Sequence, residues 1–198
     1  DFSRPIEEIR GREAAMRDRP DRRNGTVSFA EVRRGRIGIC VATQIARHVK
    51  RSNPLPGWHS PEQAWAMTQG QLAWYREMER RGELTPITAR ATPESHVARL
   101  EAAPEVTGPI GYIRSLEGAD SLVTIDHLAR AVEDGLRAVG PAHYGPGRYA
   151  QGTHATGKLT AIGVELLKEM QRLGIILDAT HLCDDSFWHA MDVYDGPV

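Results

Sequence analysis

Residues 174–188 read Gly-Ile-Ile-Leu-Asp-Ala-Thr-His-Leu-Cys-Asp-Asp-Ser-Phe-Trp, and this stretch decides the fold class. A short apolar run, Ile175-Ile176-Leu177, opens a strand expected over 175–180 and leads directly into a polar cluster that ends at His181, and Asp184 and Asp185 then open a helix. In an α/β protein the carboxyl end of a buried strand is where side chains converge on a ligand, so a histidine there is placed for chemistry rather than packing. Just upstream, residues 160–173 carry Ile162, Leu166, Leu167, Met170 and Leu173 on one helical face, with Gly174 as the stop. Helix, strand and helix thus follow one another within thirty-odd residues.

The same grammar recurs upstream. Residues 36–43 read as a buried strand, and a loop with Pro54, Pro56 and Gly57 follows. Ser60-Pro61-Glu62-Gln63 then starts a helix that runs to about Arg81 and Gly82. Residues 85–89 predict a short strand, and Thr92-Pro93-Glu94 a helix start. Residues 110–116 predict a strand that delivers Glu117-Gly118, and 125–136 a helix. Residues 136–142 predict a strand that delivers His143, ahead of a Gly/Tyr/Pro-rich loop over 144–157. A moderately helical segment at 5–17 precedes all of these.

About five alternations of strand and helix predict parallel βαβ units. No Gly-x-Gly-x-x-Gly or P-loop follows the first strand, which counts against a nucleotide-binding sheet. The expected class is α/β, a (β/α)8 TIM-type barrel. Glu117, His143 and His181 lie at the ends of three separate strands, where such barrels carry function. Only about five of the eight units are present, so residues 1–198 are expected to be one partial barrel domain that continues beyond both ends in a longer polypeptide.

Bulk properties exclude several classes. With 25 basic and 26 acidic residues the formal net charge is −1, so no polyanion or nucleic-acid partner is expected. Arg10, Arg12, Arg17, Arg19, Arg22 and Arg23 are interleaved with acids and read as a solvated surface. The two cysteines, Cys40 and Cys183, cannot build a disulfide framework and read as buried or half-buried thiols. A cytoplasmic setting fits them. No apolar run approaches the roughly 18 residues of a membrane span.

A histidine and a carboxylate at strand ends suggest a metal site, since zinc takes both donor types and a carboxylate can bridge two ions. For Glu117 the alternative is an ion pair with Arg114, and spacing alone does not separate the two. For His181 the ligand reading is favoured over a core histidine, because Asp178, Thr180 and Asp184 are near in sequence to accept from its second nitrogen. His143 reads as an acid, base or oxyanion donor. His154 has a weaker claim, and His48, His59, His96, His127 and His189 default to the surface. Trp58, Trp65, Trp74 and Trp188 read as core or loop anchors.

Residues 159–181, Leu-Thr-Ala-Ile-Gly-Val-Glu-Leu-Leu-Lys-Glu-Met-Gln-Arg-Leu-Gly-Ile-Ile-Leu-Asp-Ala-Thr-His, with Asp185-Ser-Phe-Trp188 following, resemble the signature region of the membrane (renal-type) dipeptidases. This is peptidase family M19, a group of zinc peptidases in the amidohydrolase superfamily. Ile113-Arg-Ser-Leu-Glu-Gly118 resembles that family's Glu-Gly strand end, and Arg137-Ala-Val-Gly-Pro-Ala-His143 its next strand. The resemblance runs from about Arg36 to the end.

It implies that Glu117 bridges two zinc ions, that His181 ligates the second, and that His143 binds the substrate carbonyl as it becomes tetrahedral. A hydroxide shared by the metals would attack the peptide bond of a dipeptide. The family's His-x-Asp pair on a first strand is absent, as are a further His and a later Asp, so the 198-residue chain alone is expected to be inactive. A homodimer is left open. The alternatives are another amidohydrolase-type barrel acting on N-acyl amino acids or lactones, and a metal-free, non-catalytic barrel.

Overall fold

The computed structural model describes residues 2–52, 56–89, 91–102 and 107–198, and of 91 and 92 the backbone alone. The loop position Pro54 lies outside the described residues. The chain forms two compact units, residues 1–40 with 76–112, and residues 41–75 with 113–198.

The first unit begins with α1 (Ile6–Glu13), which stops four residues short of the expected end, and continues with α2 (Phe29–Arg34). The second helix was not expected. Its signal was present: the Ser28 hydroxyl accepts the backbone N–H of Glu31 at 3.3 Å, the N-cap half of a Ser-x-x-Glu box. Phe29 buries its ring and sits 6.2 Å from that of Phe2.

The strand β2 (Leu84–Pro86) pairs in parallel with the opening residues of β3 (Ile110–Glu117), Leu84 opposite Ile110. Beside it, the N–H of Gly111 donates to the Gly38 carbonyl at 2.8 Å, at the entrance of β1 (Ile39–Gln44). His96, on α4 (Ala91–Glu101), corrects the surface expectation. It is buried, and its Nε2 lies 2.9 Å from the same Gly38 carbonyl. In the N-terminal segment Arg22 meets Glu13 at 2.9 Å and Asp18 at 2.6 Å.

In the second unit the strand order is β1-β3-β4-β5, with β4 (Leu136–Gly140) and β5 (Ile176–Leu177). The pairs β3–β4 and β4–β5 are parallel, in a register that aligns Leu116, Val139 and Leu177 in one row. These three are 3% exposed or less and form the floor of the core. Onto them pack α5 (Asp126–Glu133), α6 (Ala161–Leu173) and α7 (Asp184–Val193), with α3 (Pro61–Arg80) entering from residue 61.

The helix α6 starts where Thr160 accepts the N–H of Gly163 at 3.1 Å, and it buries Leu166, Leu167 and Met170 completely. Each such side chain contributes about 2 kcal/mol of transfer free energy. Ser60 caps α3 as its sequence indicates, accepting from the N–H of Gln63 at 3.1 Å. Trp65 packs against this core, whereas Trp188, contrary to the expected core or loop anchor, is 67% exposed, with its ring 5.1 Å from that of Phe187.

The shortest strand is also a correction. β5 holds two residues rather than the six expected, because Asp178 turns the chain: its carboxylate accepts both the N–H of Thr180, at 3.1 Å, and the Thr180 hydroxyl. Among the described residues, no helix is long and apolar enough to cross a membrane.

Candidate metal centre

Parallel pairing puts the carboxyl ends of β3, β4 and β5 side by side, with Glu117 opposite Gly140. Past Glu117 the chain must leave the sheet at once. Gly118 does this at φ +88°, a conformation that favours glycine. A Cβ at that position would come within 3.4 Å of the His143 Cβ. His143 follows β4 by three residues, and His181 follows the Asp178 turn.

The three predicted side chains meet. One oxygen of Glu117, Oε1, lies 3.1 Å from His181 Nε2 and 3.3 Å from His143 Nε2. The two imidazole centroids are 4.2 Å apart. All three residues are half-buried, with ligand atoms within 4.8 Å of one another, and this is the one such His/Cys/Asp/Glu group among the described residues. Glu117 thus groups with the two histidines rather than with Arg114. Alternation along β3 sends Arg114 to the other face, where it is buried and donates to the Ala131 carbonyl at 3.1 Å.

The outer partners differ from those expected. Asp178 is engaged with Thr180, and the second nitrogen of His181 instead lies 3.4 Å from the Thr153 hydroxyl. His143 Nδ1 lies 2.7 Å from Arg47, a residue to which the sequence assigns no role. Tyr144, 44% exposed, sets its ring 4.8 Å from that of His143 and 5.3 Å from that of His181, and stacks on His154 at 5.6 Å. Burial, with the neighbouring His181 and Arg47, holds His143 below the ordinary imidazole range, against the pull of Glu117.

A short segment, residues 151–153, ties the two histidine loops together. Gly145 donates to the Thr153 carbonyl at 2.7 Å, Gly152 donates to Gly145 at 2.9 Å, and Cys183 donates to Gln151 at 3.0 Å. The Cys183 thiol is half-buried and donates to the Gly157 carbonyl. Beside these loops is a cavity of about 530 Å³ lined by His48, Lys50, Pro146, Arg148 and Thr160 among others.

Under the same loops Asp120 is 7% exposed and accepts the N–H of Arg148 at 2.9 Å. Burial outweighs that bond and the nearby Arg148 and Arg47 charges, and pushes its carboxyl up to about 6. The folded chain therefore binds this proton more tightly than the unfolded chain, whose carboxyl titrates near 4. Stability from this group is fullest below about pH 4 and is lost as pH rises to about 6, by roughly 2–3 kcal/mol. Asp120→Asn keeps the acceptor and removes the charge. Thermal unfolding at pH 4.5 and 7 should show a gain of about 5 °C at pH 7 and a clearly smaller one at pH 4.5; equal shifts at both would refute the assignment.

Comparison with known proteins gives three results. The model of the membrane dipeptidase family, peptidase family M19, matches residues 7–198. A protein of Acinetobacter calcoaceticus, described as an uncharacterized protein in a PQQ-III 3′ region, is 29% identical over 98 residues, 45% of this chain and 31% of its own. Two crystal structures share the fold. A probable dipeptidase, PvdM, from Pseudomonas aeruginosa has a TM-score of 0.71 at 15% identity, over 98% of this chain and 53% of its own. A metallopeptidase from Rhodobacter sphaeroides, liganded with a phosphinate mimic of the dipeptide L-Ala-D-Ala, has a TM-score of 0.67 at 21% identity, over 96% and 59%. The chain spans about half the length of these structures and a third of the Acinetobacter protein. The expected barrel class, with about five βα units in this chain, agrees with these folds.

Proposed function

Because this chain belongs to the membrane dipeptidase family, peptidase family M19, we propose that the whole protein is a zinc-dependent dipeptidase, with Glu117 and His181 as metal ligands and His143 facing the substrate. The observation that carries this reading is the single Glu117 oxygen shared between two imidazole Nε2 atoms, at 3.1 and 3.3 Å. A carboxylate and imidazoles converging in a half-buried cleft are a donor set that zinc favours. Glu117 and His181 would hold zinc, and a two-ion site would need further ligands from outside this group. When bound, the metal supplies a polarised carbonyl and a water acidic enough to act as nucleophile near neutral pH.

The chain's own residues do the rest. His143 donates from Nε2 to the carbonyl oxygen of the scissile bond, an interaction that strengthens as negative charge develops there. The Gln151–Thr153 segment holds the loops of His143 and His181 in register through its backbone bonds. The exposed ring of Tyr144 walls the cleft. A dipeptide is the substrate class this family suggests, and the dipeptide mimic held by the Rhodobacter peptidase supports it.

The test is turnover by the whole protein, zinc added, of a panel of dipeptides beside N-acyl amino acids and lactones. Dipeptide hydrolysis is expected. Hydrolysis of the other classes alone would assign a different amidohydrolase chemistry, and zinc binding without any turnover would assign a non-catalytic role. The 198-residue chain by itself is expected to bind no more than one zinc and to hydrolyse no dipeptide. Two zinc ions per chain by elemental analysis, with turnover, would overturn that.

A further inference from the structure

We propose that Arg47 is a positioning residue that locks His143 in the Nε2–H tautomer, which keeps it off the metal and makes it a hydrogen-bond donor. This rests on the dipeptidase reading for its catalytic meaning, but the tautomer itself does not depend on that reading.

A guanidinium has N–H donors and no acceptor, and it does not lose its proton in proteins. The Arg47 terminal nitrogen lies 2.7 Å from His143 Nδ1. That contact is a hydrogen bond only if Nδ1 brings a lone pair, so in a neutral ring the single proton sits on Nε2. Nε2 is the nitrogen that faces Glu117 Oε1, at 3.3 Å, and a protonated nitrogen there donates to the carboxylate and has no lone pair for a cation.

The two site histidines are thereby made unequal. His181 Nε2 also faces Glu117 Oε1, at 3.1 Å, but its Nδ1 faces the Thr153 hydroxyl, at 3.4 Å, a group that can either donate or accept, so the His181 proton can move to Nδ1 and release Nε2 to ligate. Distance alone groups three ligand atoms together. The donor inventory reduces them to two ligands, Glu117 and His181, and one donor, His143.

Arg47 is built in rather than incidental. Its backbone carbonyl accepts the N–H of Trp58 at 2.8 Å, and the Trp58 carbonyl accepts from Val49 at 2.8 Å. Gly57 closes this clamp, since a Cβ there would lie 3.0 Å from the Arg47 carbonyl and 2.8 Å from Val49. The side chain is half-buried, and its Nε is buried without a partner among the described residues. A charge held this way is desolvated at a cost, which is consistent with a directed role for the terminal nitrogens.

The test is the ring ¹⁵N spectrum of His143 in the 198-residue chain, free of metal and then titrated with zinc chloride. The wild type is expected to show protonated Nε2 and hydrogen-bonded, unprotonated Nδ1, with zinc moving the His181 ring signals and leaving the His143 tautomer unchanged. Arg47→Gln keeps an N–H donor and should retain the pattern, whereas Arg47→Met should release His143 into a mixture of tautomers. An Nδ1–H tautomer in the wild type, or zinc on His143 Nε2 with Arg47 intact, would overturn the proposal even if the variants fail to fold. In the whole protein Arg47→Met should lower kcat about 10–100-fold with KM little changed, and Arg47→Gln should recover most of it. Loss of all zinc binding by the wild type, with the Nε2–H tautomer intact, would count against the metal site and leave the role of Arg47 standing.

Discussion

Replacing Glu117 by glutamine should abolish zinc binding by this chain and lower kcat/KM of the whole protein by about four orders of magnitude. The carboxylate is the common partner of His143 and His181, 3.3 and 3.1 Å from one oxygen. An amide keeps the shape but not the charge that balances a divalent ion, and residues that act as one unit fail together when one is removed. The fold should survive, because the Glu117 side chain is 28% exposed and sits at a strand end rather than in the apolar core. Calorimetric zinc titration with circular dichroism as a control separates the two effects. Wild-type zinc affinity in Glu117→Gln would remove the carboxylate from the metal set.

Gly152→Ala should cost about 3 kcal/mol or more of stability and disturb both histidines without touching either side chain. An added Cβ would stand 1.6 Å from the His143 carbonyl oxygen and 2.7 Å from its carbon, so backbone must move. The segment that would move is the one that donates to Gly145, bridges to Leu182 and accepts from Cys183. Gly70→Ala is the contrast: it lies within α3 with nothing inside 4 Å of its added Cβ. It should stabilise by about 0.5–1 kcal/mol through helix propensity. Urea unfolding of both variants checks the pair, and a Gly152→Ala chain as stable as the wild type would mean that the 151–153 segment does not hold the loops.

What could be read from the sequence was what depends on neighbours along the chain. Ser60-Pro61 starts α3, the apolar face of α6 is the buried face except at Ile162, which is 39% exposed, and Glu117, His143 and His181 stand at the ends of parallel strands because strand-helix alternation puts them there. The Ser28-x-x-Glu31 pattern that starts α2 is equally local. The shortening of β5 also has a local cause, since the Asp178 carboxylate competes for the backbone that a longer strand would use.

The partners of the site residues are a different matter. Arg47 is 96 residues from His143 and Thr153 is 28 from His181, and no periodicity or spacing relates them. They become visible only when the ends of the parallel strands are brought side by side. The burial of His96 is hidden for the same reason, because its partner, the Gly38 carbonyl, is 58 residues away.

The most direct measurement of the central claim is anomalous diffraction at the zinc edge from crystals of the zinc-loaded whole protein. A peak within bonding distance, about 2.0–2.2 Å, of both a Glu117 carboxylate oxygen and His181 Nε2, with His143 Nε2 outside that distance, is the predicted result. Zinc coordinated elsewhere, with Glu117 and His181 contacting no metal, would contradict it.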